Sequence, residues 1–211
     1  GAPTCDGVTE NVRIVIDGGT YTDTTSCDSG DGSYSFTGVE YVGDSNILVY
    51  LNTNGGVRGS TVTKTPTGDI LDYDVYANRV IVRHESSVPF AIDDMNLFDE
   101  TNDTDVRFVA TDGVTDTLTV RPDTELLVYA SSTFAPNGNI TLQSSGSGQV
   151  YDGSLHIDDN ATFLAAGAQA HSIGGSFFND AGSTFVPASS TVTFTSNTTG
   201  RGITKLDSTP L

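Results

Sequence analysis

The phrase Ser132-Thr133-Phe134 returns as Ala161-Thr162-Phe163 and again as Ser183-Thr184-Phe185. Glycine-led segments accompany it: Gly138-Asn139-Ile140-Thr141-Leu142, Gly153-Ser154-Leu155-His156-Ile157 and Gly175-Ser176-Phe177-Phe178-Asn179. The three phenylalanines lie 29 and 22 residues apart, the pattern of one repeat carrying an insertion. An imperfect period of about 20 to 30 residues marks a stacked architecture in which each unit buries its apolar face against its neighbours. β-Branched Thr beside each Phe favours extended backbone, and glycine permits the sharp corners between strands. The reading for residues 121–211 is all-β, a parallel β-solenoid with the three phenylalanines stacked inside it.

Upstream of the repeat the rhythm is looser. Asn11 to Ile16 reads as a strand ended by the turn signal Asp17-Gly18-Gly19. Asn46-Ile47-Leu48-Val49-Tyr50-Leu51 is almost continuously apolar, which predicts burial on both faces. Phe90 to Phe98 alternates loosely, and an acidic loop follows it. Residues 1–120 are an acidic β-rich region, either continuous with the solenoid in one domain or folded as an antiparallel β-sandwich.

The chain has 211 residues, 23 Gly, one Met and no Trp, and no window has sustained helical periodicity. Its net charge of −18 excludes a nucleic-acid surface, which needs clustered Lys and Arg. No Lys or Arg stands between Glu125 and Gly200, so an anionic membrane is an equally poor partner. No apolar run approaches the roughly 18 residues of a membrane span, and membrane insertion is not expected.

Gly1-Ala2-Pro3-Thr4-Cys5 reads as a mature N-terminus left by signal-peptide cleavage. Cys5 and Cys27 share a Gly/Ser/Thr/Asp-rich region and are expected to form a disulfide, worth on the order of 3 kcal/mol. Four Asn-X-Ser/Thr sequons, at Asn102, Asn139, Asn160 and Asn197, add N-glycosylation to a secreted, cell-surface reading.

The text Asn160-Ala161-Thr162-Phe163, then Gly174-Gly175-Ser176-Phe177-Phe178-Asn179-Asp180-Ala181-Gly182-Ser183-Thr184-Phe185, ends in Pro187-Ala188-Ser189-Ser190-Thr191-Val192-Thr193-Phe194. This stretch, residues 159–203, resembles the secreted β-strand-repeat proteins of bacteria and archaea. The resemblance implies an adhesin, a filament subunit or an envelope layer, and brings no family active site.

Chemistry is hard to find. His84, His156 and His171 lack metal-ligand spacing, and no Cys-X-X-Cys, His-Glu-X-X-His or Gly-X-Ser-X-Gly occurs. The pairs Asp93-Asp94 and Asp158-Asp159 are adjacent, and neighbours on a strand point to opposite faces, unlike a glycosidase pair. No enzymatic activity and no organic cofactor are expected. Asp93, Asp94, Asp99, Asp103 and Asp105 crowd one loop whose hard oxygens suit calcium, although EF-hand spacing is missing and a solvated acidic loop is the rival.

The functional expectation is a secreted structural protein, a subunit of a filament or surface layer whose partner is itself. Val192 and Phe194 would stack end to end, since only sixteen residues and no helix follow Thr195. Val12, Ile14 and Ile16 would add as a donated strand. The alternative is an adhesin or carbohydrate-binding module that stacks surface glycans on Tyr41, Tyr73 and Tyr76, and the third reading is a polysaccharide-active β-helix enzyme.

Overall fold

A computed structural model of the chain describes residues 10–53, 56–65, 68–86, 88–99 and 103–205. β1 (Glu10–Ile16) and β2 (Tyr21–Ser26) form a hairpin whose turn places Asp17 and Gly18 at φ 45° and 69°. β3 (Asn46–Thr53) pairs antiparallel with the other edge of β1, and β4 (Ser60–Lys64) antiparallel with β3. β5 (Arg79–Val82) then lies parallel to β4, and alternation of direction ends there for this sheet.

One helical turn follows, α1 (Ile92–Met95), where loose strand-like alternation was expected. Its two buried residues, Ile92 and Met95, are three apart, the spacing that puts side chains on one face of a helix. β6 (Phe108–Thr111) and β7 (Thr117–Val120) make an antiparallel hairpin.

From β7 the chain runs through successive three-strand rounds. The first continues through β8 (Glu125–Val128) and β9 (Thr133–Phe134). The second is β10 (Asn139–Leu142), β11 (Leu155–Ile157) and β12 (Thr162–Leu164). The third is β13 (Ala170–Ile173), β14 (Phe177–Asn179) and β15 (Thr184–Val186). β16 (Thr191–Phe194) and β17 (Ile203–Lys205) begin a fourth. Each strand pairs in parallel with its counterpart one round earlier. Three sheets result, ordered β17-β14-β11-β8-β5-β4-β3-β1-β2, β16-β13-β10-β7-β6 and β15-β12-β9.

The repeated phrase is the three-stranded sheet. Phe134, Phe163 and Phe185 pair across it, with successive ring centroids 5.8 and 5.3 Å apart. Phe134 and Phe163 are fully buried and Phe185 half-buried, so the expected ladder forms. The corner before each Phe is repeated too: Ser131, Asn160 and Gly182 stand three residues ahead of it, at φ 61°, 57° and 70°. Gly182 also lacks room, because a Cβ would lie 2.4 Å from Asn160 Oδ1. The insertion that separates the 29- and 22-residue spacings is the β10–β11 connection, residues 143–154, against residues 174–176 between β13 and β14.

Two apolar clusters flank the nine-stranded sheet. The larger lies among the three sheets and takes Leu48 and Tyr50 from β3; the smaller takes Ile47, Val49 and Leu51 from the same strand. The two-sided burial predicted for this strand is therefore present. The β-sandwich alternative is not what forms among the described residues. The smaller cluster is covered by segments without strands, 27–45 and 68–78, which contribute Tyr34, Phe36, Val39, Ile70, Tyr73 and Val75.

β1 also departs from expectation. Val12, Ile14 and Ile16 are buried in the smaller cluster, and β1 is paired on both edges, by β2 and β3. A strand with both edges occupied has none to donate, so the free edge on that side of the sheet belongs to β2. Cys27 is buried just after β2; its expected partner Cys5 lies outside the described residues. No helix among the described residues is long and apolar enough to cross a membrane.

The ladder makes a graded prediction. Phe163→Ala, at the centre of the row, should cost about 3–5 kcal/mol in urea unfolding. Phe185→Ala, half-exposed at its end, should cost less than half as much. Equal losses would mean that the row is not the continuous core described here.

Candidate functional site

The acidic loop does not gather into one site. Asp94 accepts a hydrogen bond from the Ala91 N–H at 2.9 Å and pairs with Lys64 Nζ at 2.7 Å, both side chains largely buried. Asp103 receives the Tyr50 hydroxyl at 2.7 Å and faces Arg13 at 3.4 Å. Asp105 is buried against Arg58 and the Thr53 N–H. Asp99 is buried as well. Asp93 alone stays exposed, and it groups with Asp112 and Asp116, their carboxylate oxygens within 4.8 Å of one another. The expected five-acid calcium set is thus dispersed, because four of its carboxylates turn inward and three of these meet a different cation each.

A second group assembles on the nine-stranded sheet from four parallel strands or their ends. Arg79 of β5 holds Glu125 of β8 at 2.6 Å. Glu125, 2 % exposed, faces His156 Nδ1 of β11 at 3.4 Å, and His156 Nε2 lies 2.8 Å from Asp180 Oδ2, just beyond β14. The Phe178 ring packs 5.5 Å from the imidazole. Burial alone would lower the His156 pKa. Hydrogen bonds and charge from Glu125 and Asp180 outweigh it and raise the value to about 9. Asp158 completes a trio with His156 and Asp180 whose ligand atoms lie within 4.8 Å of one another. At neutral pH the imidazole is protonated and sets one positive charge among these carboxylates. Its members were legible only through the repeat: Glu125 to His156 is 31 residues and His156 to Asp180 is 24, the repeat spacings plus two.

His171 is tuned the other way. It occupies the row Leu118–Ile140–His171–Val192, 4 % exposed and edge-on to Phe163 at 5.5 Å. Neither ring nitrogen has a hydrogen-bond partner among the described residues, and burial lowers its pKa.

Asp152, in the long β10–β11 connection, is fully buried. It accepts hydrogen bonds from Ser144 Oγ at 2.7 Å and from the N–H groups of Asp123, Ser145 and Gly146 at 2.8, 2.9 and 3.1 Å. Arg201 stands 3.5 Å away. Burial raises its pKa, but these donors outweigh that and bring it down to about 2. Beside this corner lies a groove of ≈ 640 Å³.

The sequons differ in access. Asn160 and Asn197 are exposed, Asn139 is half-buried with Oδ1 accepting the Ala170 N–H at 2.8 Å, and Asn102 lies outside the described residues. Of the tyrosines expected to stack sugars, Tyr73 is packed in the smaller cluster with Arg83 against its ring, and Tyr41 borders that cluster. Only Tyr76 is exposed, and Arg79 lies over it. Comparison with protein-family models, curated proteins and solved structures finds no match to this chain.

The two histidines bracket a stability window. His156, with a folded pKa raised to about 9, contributes stability that is complete below its unfolded value near 6.5 and lost as pH rises through 9, roughly 2 kcal/mol in all. His171, with a lowered folded pKa, contributes stability present above about 6.5 and lost as pH falls below it. Thermal unfolding between pH 5 and pH 10 should therefore peak between the two. His156→Gln should remove the alkaline limb and His171→Leu the acid one; a profile unchanged by both variants would refute the assignment. Separately, Asp152→Asn should destabilise the corner by about 1–3 kcal/mol in urea, since the amide cannot accept every bond the carboxylate takes.

Proposed function

We propose that the chain is a structural protein of an extracellular filament or surface layer, with residues 121–205 wound as a parallel β-solenoid. The observation that carries this reading is an open edge. Among the described residues β15, β16 and β17 each end their sheet, so all three sheets finish at one end of the stack. Phe194 and Ile203 stand 44 % and 56 % exposed there, and Val192 is only partly covered. The opposite end supports the same reading by contrast, because α1 and β6 cover it with Ile92, Met95 and Phe108, all fully buried.

An unpaired edge of N–H and C=O groups beside apolar side chains is complementary to another edge of the same kind. The Thr and Phe rows give it a register that a second copy reproduces. Two open ends meeting close a pair, whereas indefinite growth runs through the nine-stranded sheet, whose other edge is β2. β2 is polar and carries Asp23, which makes it the weaker of the two contacts. An extracellular location rests on the exposed Asn160 and Asn197 sequons and on the Cys5 and Cys27 pair in the sequence.

Light scattering and electron microscopy across concentration test the reading, with fibres or layers expected and a closed dimer that grows no further counting against it. Phe194→Asp combined with Ile203→Asp should return the chain to monomer with its fold intact. A wild-type monomer under all conditions refutes the reading.

A further inference from the structure

The long β10–β11 connection places a groove where the fold departs from its own repeat. Between the five-stranded and nine-stranded sheets the chain spends residues 121–124 in the first round, 143–154 in the second, 174–176 in the third and 195–202 in the fourth. Two long connections thus flank a short one, and a notch opens across the third round. With strands about 4.8 Å apart, its two walls start about 10 Å from each other. Its ≈ 640 Å³ falls within the range of about 300–1,000 Å³ common to small-ligand sites.

The floor stays low for a steric reason. A Cβ on Gly174 would lie 2.6 Å from the Leu142 carbonyl oxygen and 2.9 Å from the Ser144 nitrogen. No larger residue fits there, so no side chain from that position can fill the notch.

The lining decides the ligand. Thr141, Gln143, Ser172, Thr195 and Asn197 present hydroxyls and primary amides, the Ser145 hydroxyl is taken by Asp123 at 2.7 Å, and no lining residue among those described is charged. In a chain of net charge −18, that neutrality depends on where the nearby charges go. Asp152 is fully buried beneath the loop and saturated with hydrogen bonds, and Arg201 is drawn onto the Gln149 carbonyl and Asp152. Hydroxyls and amides both donate and accept. They match a ligand whose own groups do both. An anionic ligand would need a fixed cation, which the lining lacks, and the exposed Asp123 beside Ser145 opposes one further. A metal would need several converging carboxylates, and beside the buried, saturated Asp152 only Asp123 stands near.

We propose that this groove binds a neutral, hydroxyl-rich glycan. Two sources share that chemistry. One is a glycan carried by Asn197, which is exposed on the groove wall and opens the sequon Asn197-Thr198-Thr199. The other is a glycan belonging to another molecule.

The test uses the full chain, isotope-labelled and made in a host that does not N-glycosylate. It is titrated with cello-, manno- and chito-oligosaccharides up to about 20 mM, a range that captures weak millimolar binding. Backbone shifts are expected at 141–145, 172–174 and 195–197, unaltered by salt because no charge is involved. An acidic oligogalacturonide should produce none. Ser172→Trp, which places a large ring on the floor, should weaken binding at least about tenfold; Thr195→Trp on the wall serves if the first variant misfolds. No shifts with any neutral sugar, shifts confined elsewhere, or undiminished binding by a folded blocking variant would overturn the proposal. Protein from a glycosylating host separates the sources. If the Asn197 glycan fills the groove, free sugar should bind only after Thr199→Ala, which removes the sequon and leaves the lining intact; if both forms bind alike, the ligand comes from outside. Neither result depends on whether the chain assembles.

Discussion

Parallel strands stacked one round upon the next share a single register, and that register governs the interior. Residues that pair across a sheet point the same way, so each row must be filled by side chains that tolerate their own kind at strand spacing. Val80, Leu126, Leu155, Phe177 and Ile203 make one such row, and the Phe ladder makes another. The rows lose apolar character in the third round. His171 follows Ile140 in one row, and Asn179 follows Ile157 in another. His171's ring nitrogens and Asn179 Oδ1 are buried without hydrogen-bond partners among the described residues, each costing about 1–3 kcal/mol. The stack is therefore weakest in its third round, which is where local opening should begin.

On the outward face of the nine-stranded sheet, charge replaces packing as the device that joins rounds. Arg79, Glu125, His156 and Asp180 alternate in sign from β5 to the end of β14, so each carboxylate borders a cation from a neighbouring strand. His156 and His171 carry the same side chain fifteen residues apart, and their environments drive them in opposite directions. Carboxylates on both ring nitrogens hold the proton on one, while Phe163 and aliphatic neighbours remove the reason for it on the other.

The repeated phrase made the three-stranded sheet legible because strand, corner and interior residue recur together in a few positions. Two-sided burial of β3 was equally legible, since an unbroken apolar run has no solvent face. The first hundred residues were less so. The cover over the smaller cluster is built from irregular segments, where Tyr34 and Phe36 pack without any strand pairing to set a period. The acidic loop misled for a related reason. Proximity in sequence placed Asp94, Asp103 and Asp105 together, but their partners Lys64, Arg13 and Arg58 lie 30, 90 and 47 residues away. A short-range pattern carries no sign of such contacts.

The two ends of the stack are not equivalent, and the asymmetry follows from strand direction. At one end β6 pairs antiparallel with β7, and an antiparallel neighbour cannot continue a row of rounds that all run the same way. α1 then closes the interior with Ile92 and Met95. At the other end β15, β16 and β17 keep the parallel direction of the rounds beneath them, so they present the same template that each earlier round presented to its successor. A further strand, from whatever source, is directed there by register alone. The neutral groove flanks that same end, between the second and fourth rounds, and its width depends on the fourth round holding its place.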